Sequence, residues 1–244
     1  MAVDSTVNQE AYQSEGAGNR TLDQMTNARN YNRWLFERVG AALGRRVLEI
    51  GSGTGTMTEY LLDRELVVGL EVIPEYAEEM QRRFAGNRNV RIECLDITST
   101  SFDFAALGFD SAVSFNVFEH IPDDVGAMRQ VYHALCPGGR LALLVPAHQA
   151  LYGPFDELIG HQRRYGKREL SEKLRSAGFH VDRVSYSNPL GAVGWLVNVR
   201  LLRQHQLKAV RAYDSLVPLL AGAERLVRPP FGLSVVAIAH KPAA

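Results

Sequence analysis

The sequence is poor in cysteine and balanced in charge, and each of these properties argues against a class of protein. Its two cysteines, Cys94 and Cys136, are too few for the disulfide framework of a small secreted domain, and we expect both to be small core residues. Lysine plus arginine and aspartate plus glutamate each number 27, which leaves no net charge. A dedicated nucleic-acid-binding protein usually carries a basic surplus, so no nucleic-acid partner is predicted.

Long apolar runs are also missing from the 244 residues. No uninterrupted apolar stretch reaches the length of about 18 residues that a membrane span needs, so no transmembrane segment is predicted. The first residues lack a basic region followed by an apolar run, so no secretory signal is predicted either. These absences favour a cytoplasmic protein, and the length suits one large α/β domain.

What the chain does contain is a glycine-rich turn after an apolar strand. Residues 47–50 predict a buried strand, and Gly51, Gly53 and Gly55 follow it. Glycines let a backbone bend sharply and approach a ligand that a Cβ atom would exclude, so the turn is typical of a nucleotide site. Glu71 ends the next apolar run, where an acid accepts hydrogen bonds from both hydroxyls of an adenosine ribose. The alternative for Glu71 is a solvated acid at a strand end.

The spacing of these glycines argues against two other nucleotide-binding loops. A dinucleotide fingerprint, G-x-G-x-x-G, needs its third glycine where this chain has Thr56. A phosphate-binding P-loop ends in Gly-Lys-Ser or Gly-Lys-Thr, and no lysine follows here. The loop is therefore poorly matched to pyrophosphate and to triphosphate.

Three further landmarks follow along the chain. Asp96 follows a predicted third strand, Asn116 follows a fourth, and Pro137-Gly138 separates a helix from a fifth. Together with the glycine turn and Glu71, their kind and order resemble the class I S-adenosylmethionine-dependent methyltransferases over residues 46–146. The chain is most similar to the bacterial small-molecule type, including methyltransferases like those of ubiquinone biosynthesis.

The resemblance implies that S-adenosyl-L-methionine is the cofactor. Asp96 would bond the adenine amino group, and its alternative role is a helix cap. Tyr31 and Trp34 would close over the methionine end of the cofactor, or else only dock the first helix on the core. The implied cofactor-binding residues are Tyr31, Trp34, Glu49, Gly51, Ser52, Gly53, Gly55, Glu71, Val72, Asp96, Ile97 and Asn116.

The predicted fold class is α/β. Strands alternate with helices along the chain, which predicts a parallel sheet whose strand ends hold the ligand. The resemblance implies that the last strand is antiparallel and lies beside the fifth. We therefore expect a Rossmann-like, seven-stranded, mostly parallel sheet with helices on both faces. The expected strands are 47–50, 66–70, 90–95, 109–115, 141–145, 179–186 and 233–240, and the expected helices include 25–43, 56–62, 74–84, 123–135 and 168–177.

The domain organisation follows from the same pattern. Residues 1–24 predict a flexible N-terminal arm, and 25–244 predict the methyltransferase domain. Inside it, the glycine-interrupted segment 147–167 predicts a lid or substrate loop. The segment 189–228 predicts an apolar helical insertion, which either packs on the core, covers a lipophilic acceptor or rests on a membrane surface.

Two histidines are the candidate catalytic residues. His161, in the predicted lid, is a candidate general base that takes a proton from an acceptor hydroxyl or amine. His120, in a Glu-His pair, is a second candidate. Its alternative role is structural, with the imidazole hydrogen-bonded to a backbone carbonyl. The ubiquinone-biosynthesis enzymes place a magnesium-binding acid three residues before such a pair. This chain has Asn116 there, a weaker ligand for a hard cation, so no metal is predicted.

Two arginines beside His161 bear on the acceptor. Arg163 and Arg164 either pair with a carboxylate or phosphate of the acceptor or hold the lid together through Asp156 and Glu157. An anionic acceptor is therefore one expectation, and a lipophilic acceptor, suggested by the apolar insertion, is the other.

The sequence thus predicts an enzyme that transfers a methyl group from S-adenosylmethionine to an O or N atom of a small-molecule acceptor. One alternative is a non-catalytic protein that binds S-adenosylmethionine or serves as a partner subunit. A second is a methyltransferase that acts on a lipid or a macromolecule, and a third, disfavoured by the glycine spacing, is a nicotinamide oxidoreductase. The sequence does not fix the oligomeric state.

Overall fold

The computed structural model describes residues 25–99, 104–197 and 210–243. The predicted arm at 1–24 and the middle of the predicted apolar insertion, 198–209, lie outside the described residues. Among the described helices, none combines the length and the apolar character that crossing a membrane requires.

Within the described residues, seven strands form one sheet. The first five pair in parallel in the order β3-β2-β1-β4-β5, and β7 lies antiparallel between β5 and β6. The predicted α/β class, with its antiparallel last strand beside the fifth, is confirmed. The strands are β1 (Arg46–Ile50), β2 (Leu66–Glu71), β3 (Val90–Cys94), β4 (Phe109–Phe115), β5 (Leu135–Pro146), β6 (His180–Ser187) and β7 (Ser234–His240).

Helices cover both faces of the sheet because alternate strand residues point to opposite sides. Val47 and Val67 pack in one apolar cluster with α1 and α7, whereas Leu48 and Val68 pack in another with α3 and α5. The described α-helices are α1 (Arg29–Val39), α2 (Pro74–Arg83), α3 (Asp124–Ala134), α4 (Pro154–Leu158), α5 (Lys167–Ser176), α6 (Pro189–Trp195) and α7 (Val210–Leu226).

Two local predictions are wrong. The segment 56–62 forms only a 3-10 turn at Thr58–Leu61 instead of an α-helix. This turn has no side-chain cap, and the hydroxyls of Thr54 and Thr56 hydrogen-bond to each other, 2.9 Å apart. Cys94 is an exposed free thiol rather than a core residue, because it ends β3 at the edge of the sheet.

The predicted lid, 147–167, is packed rather than extended. It contains a 3-10 turn at Gln149–Leu151 and the short helix α4, and Ala147 bridges to Tyr165. The fully buried Tyr165 hydroxyl donates to Asp124 Oδ2 at 2.8 Å. This bond fixes the end of the lid against α3.

Candidate active site

The turn after β1 takes a conformation that favours glycine. Gly51, Gly53 and Gly55 have φ values of 72°, 54° and 77°, in the left-handed region that side chains disfavour. A Cβ atom on Gly51 would lie 2.3 Å from Val117 Cγ2. Because the backbone N–H groups of Gly51 and Ser52 both donate to Leu70 O at 2.9 Å, the turn is held against the end of β2.

Glu71 is fixed at the carboxyl end of β2. Its Oε2 accepts from the Gly53 backbone N–H at 2.7 Å, and its Oε1 accepts from the Ile73 N–H at 2.9 Å. Burial raises the pKa of this carboxyl, and hydrogen bonds from the backbone N–H groups of Ile73, Gly53 and Val72 oppose that shift. The Glu71 carboxylate therefore links the glycine turn to the next strand in one preset geometry.

A large cleft opens where the parallel strands end, next to the reversal of strand order between β1 and β4. Its volume is about 1080 Å³. Asp96 accepts from the Thr98 N–H at 2.8 Å, and Asn116 has a φ of 52°. Eleven of the predicted site residues line this cleft: Tyr31, Gly51, Ser52, Gly53, Glu71, Val72, Asp96, Ile97, Asn116, His120 and His161.

Three predicted cofactor residues do not line the cleft. The Trp34 side chain is buried in the apolar cluster under α1. This position matches the alternative role, in which Trp34 docks the first helix on the core. Glu49 is buried beneath the turn, where its Oε2 accepts from the Thr58 hydroxyl at 2.6 Å and burial raises its pKa to about 7. Gly55 lies against the Phe84 ring: a Cβ atom on Gly55 would be 2.8 Å from Phe84 Cε2.

On the lid side of the cleft, His161 is oriented by a buried acid. Its Nδ1 lies 2.8 Å from Asp156 Oδ1. Asp156 also accepts from Arg164 Nε and Nη2, each at 2.8 Å. Burial acts to raise the pKa of Asp156, but the hydrogen bond from His161 and the charge of Arg164 hold it below its usual value. The sequence indicates Asp156 only as an acid that could pair with the lid arginines. Its contact with His161 depends on the turn that α4 makes.

His120 and Glu119 lie beside His161. The two imidazole rings meet edge to face with centroids 4.7 Å apart, and His120 Nδ1 lies 3.2 Å from Gly160 O. Burial lowers the pKa of His120 to about 3, with the neighbouring His161 adding to the shift. The Glu119 carboxyl is wholly buried, and burial raises its pKa to about 7. The cleft is therefore lined here by two imidazoles, with a buried carboxyl beside them.

Both arginines named from the sequence already have carboxylate partners. Arg164 is 2% exposed, and its guanidinium pairs with Asp156 and lies 4.3 Å from the centre of the Trp195 ring. Arg163 Nη1 pairs with Asp124 Oδ2 at 3.0 Å. These contacts match the alternative in which the two arginines hold the lid together. The expectation of an anionic acceptor therefore loses the two arginines on which it was based.

The fold and the cleft together define a class of protein. A glycine turn after β1, an acid ending β2 and an antiparallel β7 inserted beside β5 are the landmarks of class I methyltransferases. A family model described as a methyltransferase domain matches residues 48–141. Over residues 48–141 and in its fold, the chain resembles the class I S-adenosylmethionine-dependent methyltransferases, and S-adenosylmethionine is the cofactor of that class.

Curated relatives agree with this class. An uncharacterized methyltransferase of Bacillus subtilis is 26% identical over 160 residues, which are 64% of this chain and 83% of the relative. A ubiquinone biosynthesis O-methyltransferase of Pseudomonas fluorescens is 29% identical over 112 residues, or 44% of this chain and 47% of the relative. The chain thus spans most of the first relative's length and about half of the second.

Solved structures share the fold. The phosphoethanolamine N-methyltransferase 2 of Haemonchus contortus, in complex with S-adenosyl-L-methionine, superposes with a TM-score of 0.61 at 19% identity over 87% of this chain and 52% of that chain. The [4+2]-cyclase SpnF superposes with a TM-score of 0.60 at 20% identity over 88% of this chain and 82% of that chain. Because a cyclase has the same fold, the reaction must be argued from this chain's own residues.

Proposed function

We propose that the protein transfers a methyl group from S-adenosylmethionine to an O or N atom of a small-molecule acceptor. The observation that carries this proposal is the pair of histidines, His120 and His161, in the same cleft as the predicted cofactor residues. Hydroxyl and amine acceptors lose a proton during methylation, and a basic group beside them assists that loss. A curated relative named as an O-methyltransferase agrees with an oxygen acceptor.

The residues of the glycine turn fit the cofactor. In the proposed complex, Glu71 accepts hydrogen bonds from the ribose hydroxyls, Asp96 accepts from the adenine amino group, and Gly51 and Gly53 admit the ligand close to the backbone. S-adenosylmethionine supplies a methyl group that its sulfonium already activates. The task of this chain's residues is to hold the acceptor atom in line with that methyl and to keep water away.

An acceptor with an apolar part suits the other wall of the cleft. Leu190, Val193 and Val197 follow one another along and just beyond α6, and Leu216 lies on α7; all four line the cleft. Among the described residues, nine of the ten large exposed apolar side chains lie between 190 and 231. This concentration supports a lipophilic acceptor over an anionic one, with contact to a membrane surface as the accompanying proposal.

Replacing His161 by alanine is expected to reduce methyl transfer at least about 100-fold while S-adenosylmethionine affinity changes little. His161 lies at the acceptor end of the cleft, so its loss affects activation of the acceptor rather than binding of the cofactor. The measurement is transfer of labelled methyl to a panel of apolar phenols and amines, with cofactor binding measured by calorimetry.

The matched control is His133→Ala, which removes an exposed histidine of α3 outside the cleft. It should leave both transfer and cofactor affinity unchanged. Equal turnover of His161→Ala and the unmodified protein on an accepted substrate would contradict the role of His161.

A further inference from the structure

The Glu119 carboxyl is the least satisfied polar group at the acceptor end of the cleft. It has no exposed surface, and neither of its oxygens has a hydrogen-bond partner within the described residues. Buried polar side chains are normally hydrogen-bonded, since an unpaired one costs the full energy of its lost hydration. His161 Nε2 lies 3.6 Å from Glu119 Oε1, which is too long for a hydrogen bond. Glu119 therefore has an unmet demand for a proton or a cation, directly beside His161, which lines the cleft.

The hydrogen bonds of the two neighbouring imidazoles fix their tautomers. Asp156 and the carbonyl of Gly160 can only accept hydrogen bonds here, so the Nδ1 atoms of His161 and His120 carry the hydrogens. In each ring, Nε2 is then the nitrogen with the lone pair. A carboxylate or carbonyl behind Nδ1 is the arrangement that orients histidines that bind metals.

We propose that Glu119, His120 and His161 bind one divalent transition-metal cation. One ligand atom from each residue lies within 4.8 Å of the other two. Metal–ligand bonds of about 2.0–2.2 Å would draw the three groups inward by roughly 1 Å. Two imidazoles and one carboxylate suit Zn²⁺, Co²⁺, Mn²⁺ or Fe²⁺, whereas Mg²⁺ prefers oxygen ligands.

This ligand set differs from that of the ubiquinone-biosynthesis enzymes, which have a magnesium-binding acid at the position of Asn116. In this chain the third ligand comes from the lid, as His161. Three protein ligands leave coordination positions open to an acceptor. This role rests on the proposed function: an acceptor hydroxyl on the cation would have a lowered pKa and lose its proton to water. With the cation bound, His161 would be a ligand, and the cation would assist the proton loss that the proposed function otherwise assigns to the free imidazole.

Titration with Co²⁺ tests the site directly. The full chain is first dialysed against a chelator and then titrated with Co²⁺, with visible absorption and calorimetry as readouts. We expect one equivalent to bind with the absorption bands of nitrogen- and oxygen-bound Co²⁺. Glu119→Gln keeps the side-chain size but removes the charge, and it should weaken binding at least about 100-fold, exceeding the 10- to 100-fold effect of outer-shell changes. His133→Ala should bind as the unmodified protein does.

Two further measurements keep the outcome clear. Thermal unfolding of Glu119→Gln shows whether the variant folds, and His120→Ala removes a second ligand independently. If the unmodified protein binds no stoichiometric Co²⁺, as expected when a proton alone satisfies Glu119, the proposal is overturned. Equal affinity in both variants would also overturn it. The titration does not use methyl transfer, so its result is separate from that of the labelled-methyl assay.

Discussion

Replacing Glu71 by alanine is expected to weaken S-adenosylmethionine binding at least about 100-fold. In the proposed complex the carboxylate accepts two hydrogen bonds from ribose, each contributing about 1.5–3 kcal/mol when one partner is charged. Every 1.4 kcal/mol or so is a tenfold change in affinity. The same substitution removes the acceptor for the Gly53 and Ile73 N–H groups, so the glycine turn also loses one of its links to β2. Calorimetric titration with S-adenosylmethionine measures the loss.

Two variants make the Glu71 experiment specific. Glu75→Ala removes an exposed acid of α2 outside the cleft and should leave affinity unchanged. Glu71→Gln retains one carbonyl oxygen and should give an intermediate loss. Unchanged affinity in a folded Glu71→Ala protein would contradict the ribose-binding role.

Replacing Asp156 by alanine is expected to destabilise the protein by about 3–5 kcal/mol, the usual cost of leaving one member of a buried ion pair without its partner. Arg164 is 2% exposed and makes its two 2.8 Å contacts to this carboxylate, so the substitution strands a buried guanidinium. For a chain of this size, that corresponds to a fall in Tm of roughly 10 °C. Thermal and denaturant unfolding measure the effect.

The neighbouring acid provides the control for Asp156. Glu157 is exposed, so Glu157→Ala should change the free energy of unfolding by less than about 0.5 kcal/mol. Because the folded-state pKa of Asp156 lies below its ordinary value of 3.8, its contribution is full above that value and is lost as pH falls through the folded-state pKa. If Asp156→Ala unfolds within 0.5 kcal/mol or so of the unmodified protein at neutral pH, the buried pair does not stabilise the lid.

The strand pattern was predictable because the signals that set it are local. Alternating or continuous apolar runs mark each strand, and Glu71, Asp96 and Asn116 follow directly after strands, so parallel pairing alone brings them to one edge. The glycine turn was equally clear, since Gly51 needs both a positive φ and the space beside Val117. Placement of these residues in the cleft follows from their positions along the chain.

The acceptor end was harder to predict because long-range packing sets it. No local sequence pattern indicates that Asp156 contacts both His161 and Arg164. Nor does one indicate that Arg164 lies over the ring of Trp195, some thirty residues further along the chain. Trp34 resembles Tyr31 in spacing and type, yet only the rotation of α1 decides which ring reaches the cleft. Glu119 looked like part of a motif, and only its complete burial without a partner marks it as a candidate ligand.

The central claim is that the cleft binds S-adenosylmethionine, and one calorimetric series tests it most directly. The purified full chain is titrated separately with S-adenosylmethionine, S-adenosylhomocysteine and NAD. We expect the first two to bind with dissociation constants on the order of micromolar and NAD to show no binding, because the third glycine of a dinucleotide loop is replaced by Thr56. Binding of NAD, with no binding of either sulfur nucleoside, would contradict the account.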